Sequence, residues 1–139
     1  MSGVTDLAAL IETMEPVLVE GRFVYACVPA GELACYLGRA PLGMFREQEG
    51  VTLILPAEAA ADLAVSAPMR MITLTVHSSL EAVGLTAAFA TALTAEGISA
   101  NVVAGYHHDH IFVPERQAEQ ALAALRALSR RAREKGETG

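Results

Sequence analysis

The chain has 139 residues, enough for one ordinary domain or two very small ones. Apolar residues make up 53% of it, much of that alanine, which points to a core of thin, closely packed helices. A net charge of -6 argues against general affinity for nucleic acid or an anionic membrane, and two cysteines are too few for a disulfide framework.

The first residues, MSGVTDLAALIE, carry acids where a signal peptide carries bases. No apolar run approaches the roughly 20 residues needed to cross a bilayer. The expectation is a cytoplasmic protein with reduced Cys27 and Cys35, the former buried in an apolar run.

Helical spacing places Leu7, Leu10, Ile11 and Met14 on one face of a helix over Asp6–Met14, capped by Thr5 or Asp6 and ended by Pro16. Val17–Val19 reads as a short strand, Gly21-Arg22 as a turn, and Phe23–Val28 as a β-rich run. Pro29–Gly50, punctuated by glycine and proline, reads as irregular. Val51–Leu55 is a strong strand, and Pro56 opens a short helix through Leu63. After a Ser66-Ala67-Pro68 linker, Met69–Val76 alternates as a strand.

Ser78-Ser79-Leu80-Glu81 fits a capping box for a helix running to Glu96, with Gly97 as its terminal glycine. Ile98–Ala104 and His110–Val113 are strands. Pro114 opens a last helix to about Arg131, with Ala118, Ala121, Leu122, Leu125 and Leu128 as its stripe, and the tail from Arg133 reads as frayed. The basic run Arg130-Arg131-Ala132-Arg133 suits the C-terminal dipole of that helix. The second half therefore reads βαββα, one strand short of a complete sheet. An N-terminal strand, 17–20 or 23–28, is expected to supply it.

VTLILPAEAAADLA and HIFVPERQAEQALAAL both run from strand through proline into an alanine-rich helix. Aligning Pro56 with Pro114 pairs Leu53 with Ile111, Ile54 with Phe112 and Leu55 with Val113. This echo favours two similar small modules, residues 1–67 and 68–139.

Val76–Thr86 joins a strand end, a helix start and Gly84 within the first two turns, where glycine costs about 1 kcal/mol relative to alanine. Such a glycine serves close approach, either of a ligand at the free N–H groups of the helix start or of a packed neighbour. The residues leave both readings open.

The stretch HSSLEAVGLTAAFATALTAEGISANVVAGYHHDHIFV resembles an ACT domain, the small-molecule-binding regulatory module of amino-acid metabolism, and is most similar to those at the C-terminus of aspartate kinases. With PLGMFREQEGVTLILP and NVVAGYHHDHIFVP, the whole chain resembles small stand-alone bacterial proteins with two tandem ACT-like modules. The resemblance implies an α+β, ferredoxin-like (βαββαβ) fold with antiparallel sheets. It also implies a non-enzymatic sensor that binds an amino acid or similar small carboxylate, without a cofactor. By that resemblance the ligand pocket would lie at the loop from Ser78 and Ser79 to Leu85, where backbone groups of Ala82, Val83, Gly84 and Leu85 would hold the ligand carboxylate. Asn101 would stand where an amino group is met, although it brings no charge where aspartate kinases often carry Asp. Met44, Phe45 and Arg46 form a further hallmark. Arg46 would pair with a carboxylate or else cap a turn with Glu47 or Glu49. A homodimer is expected from an exposed sheet edge and alanine-rich helix faces.

Three of the four histidines, His107, His108 and His110, lie around Asp109. On a strand His108 and His110 face one way and His107 and Asp109 the other, so no face offers three metal ligands and a hairpin tip is the expected reading. There is no phosphate loop, CxxC or HExxH. Two alternatives to the sensor are a protein-interaction module without a small ligand and a metal-dependent enzyme centred on His108 and His110.

Overall fold

A computed structural model of the chain describes residues 6–75 and 83–138. The chain forms two compact units, one of Met1–Val19 with Met71–Gly139 and the other of Glu20–Arg70.

In the first unit, helix α1 spans Leu7–Thr13, and the Asp6 carboxylate caps it by accepting from the Ala8 amide at 3.0 Å. Pro16, which cannot continue the helix, opens strand β1 (Pro16–Val28). β1 is unbroken where a turn was expected at Gly21-Arg22, with Gly21 inside it at φ +107. The start of β1 lies beside β4 (Met69–Leu74), followed by β6 (Asp109–Pro114) and β5 (Asn101–Ala104). An N-terminal strand therefore does supply the one missing from the βαββα half. Thr75 ties this end down, donating from both its amide and its hydroxyl to the Glu15 carbonyl.

Helix α2 runs from Leu85 to Ala95, with Gly84 as its N-cap residue at φ +98, so the expected start at Ser78 is not where this helix begins. A backbone at that φ cannot continue a right-handed helix, and Gly84 therefore stands at the boundary rather than inside the first turns. Leu85, Phe89 and Leu93 recur every fourth residue and face the core. Phe89 is fully buried, and that burial is worth about 1.5–3 kcal/mol. The helix ends as the sequence predicts. Gly97 takes φ +70, its amide donates to the Thr94 carbonyl, and the Ile98 amide donates to the Leu93 carbonyl.

The last helix, α3 (Ala118–Thr138), continues well past Arg131, so the expected frayed tail is helical. Ala118, Ala121, Leu122 and Leu125 are buried as the stripe predicts, together with Ile72, Leu74, Ile111 and Val113 from the strands. α1 packs in the same core through Leu10 and Met14.

The second unit has strand order β2-β3-β1, all antiparallel, with β2 at Gly43–Glu47 and β3 at Gly50–Pro56. Val24, Ala26, Val28, Val51, Leu53 and Leu55 form its core. β2 lies in the stretch read as irregular. Cys27, expected to be buried, is exposed on β1, since it alternates with buried Ala26 and Val28. Gly50 is obligatory at the β2–β3 turn. Its φ is +153, and an added Cβ would lie 2.6 Å from the Val28 carbonyl oxygen and 2.9 Å from Cys27 Sγ.

The internal echo has a conformational counterpart. Pro56 and Pro114 have nearly identical backbones, φ -55 ψ 136 and φ -55 ψ 138, and each leads into a 3-10 turn, Ala57–Ala60 and Glu115–Gln117. The second turn continues into α3. The first ends after one turn, where a helix through Leu63 was expected.

Candidate functional site

The loop singled out from the sequence is described from Val83 onward; Ser78, Ser79 and Ala82, with His77 and the capping box, lie outside the described residues. Val83 is 83% exposed, Gly84 turns the chain, and Leu85 is buried as the first residue of α2. A Cβ built on Gly84 would lie 2.9 Å from Leu7 Cδ2 and 3.6 Å from Cδ1. The neighbour packed closely against Gly84 is a leucine of α1. No local pattern in the sequence could have shown a contact between residues so far apart in the chain. Leu7 also lines a groove of 540 Å³ with Ile11, Leu128 and Arg131.

The histidines form the hairpin tip that the sequence predicts. The Gly105 amide donates to the His108 carbonyl at 2.8 Å between β5 and β6, and Tyr106 and His107 meet edge to face at 5.1 Å. His110 turns inward from the tip, with Nδ1 2.9 Å from Thr73 Oγ1. Burial pushes its pKa below the usual histidine range, and nearby His108 lowers it further. Among the described residues no group of three His, Cys, Asp or Glu side chains comes together as metal ligands would.

ACT-domain profiles match residues 2–70 and 66–127. A crystal structure of a protein of unknown function from Vibrio cholerae, described as a possible transport protein, is 53% identical, with a TM-score of 0.81; the match covers 92% of this chain and 99% of that one. The chain belongs to the ACT-domain family.

Its fold is α+β and ferredoxin-like, with antiparallel sheets and two tandem ACT modules. A protein from Agrobacterium tumefaciens shares that fold at 16% identity and a TM-score of 0.69, covering 84% of this chain and 89% of that one. So does the ligand-free regulatory subunit of aspartate kinase from Thermus thermophilus, at 12% identity and a TM-score of 0.64, covering 85% and 97%. A comparison of the sequence with curated proteins found no match.

Within the second ACT module, Asn101 is exposed at the start of β5 and pairs in register with Phe112. β6 separates β5 from β4, the strand that precedes the Val83–Leu85 loop. Met44, Phe45 and Arg46 belong to the other compact unit, exposed on the edge strand β2. Phe45 is 71% exposed. Glu47, one candidate partner of Arg46, accepts a hydrogen bond from Thr52 Oγ1.

Proposed function

We propose that this ACT protein is a non-enzymatic regulatory protein that binds an amino acid or a similar small carboxylate and works as a homodimer in the cytoplasm. The observation that carries the reading is that ACT modules account for nearly the whole described chain, in a fold shared with the regulatory subunit of an aspartate kinase. The ligand carboxylate would meet the backbone of Val83, Gly84 and Leu85, with Asn101 hydrogen-bonding its amino group. Leu7 competes for that place, and the groove that Leu7 also lines would give its side chain room to move. Binding would thus be coupled to the position of α1, and a ligand can shift that position only by its difference in affinity for the two states.

The test is a thermal melt against each of the twenty amino acids. A ligand at a hundred times its Kd adds about 2.7 kcal/mol to stability. The reading expects such a shift for at least one amino acid, reduced in Asn101→Ala. A flat response to all twenty would refute it. The second reading, a module that holds a protein partner, is favoured by Met44 and Phe45 exposed on the edge strand β2, where a further strand could pair.

A further inference from the structure

The C-terminal arginines were expected to complement the dipole of a helix ending near Arg131. Because α3 runs to Thr138, only Lys135 stands as a basic residue in its last turn. The dipole's influence fades within that turn, so Arg126 and Arg130 call for another explanation.

Arg126, Arg130 and Arg133 follow one another at helical spacings of four and three residues and share one face of α3. Together with Ser129, Glu15, Val17 and the buried Met14 and Pro16 they line an open cavity of 460 Å³. Two of its lining residues, Ser129 and Arg133, belong to one hydrogen-bonded assembly. Ser129, only 2% exposed, donates to the Glu12 carbonyl at 3.1 Å. Arg133 donates to the same carbonyl at 3.1 Å and to Ser129 Oγ at 2.8 Å. Arg133 is thereby committed to joining α1 to α3. Among the described residues, Arg126 and Arg130 have no ion-pair partner.

Three guanidinium groups against the single carboxylate of Glu15 give the cavity a positive balance on a chain whose net charge is -6. Guanidinium groups present paired N–H donors that match carboxylate and phosphate oxygens. We infer that this cavity between the start of β1 and α3 is a binding site for a small dianion, a dicarboxylate or a phosphoryl group, clamped by Arg126 and Arg130. It is distinct from the α2 loop and does not depend on the function proposed for that loop.

The test measures thermal stability of the full chain at constant ionic strength with succinate, with inorganic phosphate and with acetate. At least one dianion should raise the melting temperature in a saturable way, and acetate should do less. Succinate alone would identify a dicarboxylate ligand, and phosphate alone a phosphoryl ligand. The exposed pair Arg126→Gln/Arg130→Gln should weaken the apparent Kd by about tenfold or more, as loss of charge-assisted hydrogen bonds does. Arg131→Gln, which removes the same charge from a different face of α3, should leave it unchanged. The inference is overturned if neither dianion outperforms acetate, or if the double variant responds as the parent does.

Discussion

If Gly84 is there to accommodate Leu7, replacing it with alanine should cost stability in two separable parts. The first is backbone strain. At φ +98 a residue with a Cβ is disfavoured by about 1–2 kcal/mol. The second is steric. The new Cβ would stand 2.9 Å from Leu7 Cδ2, well inside the roughly 3.5–4.0 Å of an ordinary carbon contact. Leu7 can rotate away, so this part stays near the low end for overpacking, about 1 kcal/mol. Gly84→Ala should therefore destabilise by about 2–3 kcal/mol. Leu7→Ala alone should cost about 1–2 kcal/mol, less than a fully buried leucine because Leu7 is only half-buried. In the double variant the clash disappears while the backbone strain remains. Its cost should fall short of the sum by about 1 kcal/mol. Urea unfolding of the four proteins at 25 °C measures this directly. A Gly84→Ala cost under about 0.5 kcal/mol, or strictly additive costs, would refute the packing argument.

Two further predictions concern each unit separately. Gly50→Ala should cost about 3 kcal/mol or more, or prevent folding, because its Cβ would press on the Val28 carbonyl, a backbone atom that cannot swing aside; soluble yield and urea midpoint would report this. His110 has a depressed pKa, so its neutral form contributes stability that is fully present above the unfolded value of about 6.5 and is lost as pH falls below it towards the folded value. Urea midpoints measured from pH 8 to pH 5 should show this loss, and His110→Gln should flatten it.

What the sequence disclosed depended on how local the signal was. β3 announced itself by a run of apolar and β-branched residues, β4 by alternation, α3 by its apolar stripe, and the end of α2 by Gly97. β2 escaped because an exposed edge strand has no buried face to impose alternation, and Met44 and Phe45 sit side by side in it. β1 was divided in two because Gly21 signals a turn as readily as a positive-φ residue within a strand. The candidate loop was found by its glycine, but Leu7 comes from a helix far upstream in the chain. Arg126 and Arg130 gained meaning only once α3 proved long enough to separate them from the helix end.

Isothermal titration of the twenty amino acids into the parent chain and into Leu7→Ala probes the regulatory reading most directly. The account predicts saturable heat with at least one amino acid, and tighter binding of that same compound once the leucine side chain no longer contests the turn before α2. Absence of binding to both proteins, or weaker binding to Leu7→Ala, would contradict it.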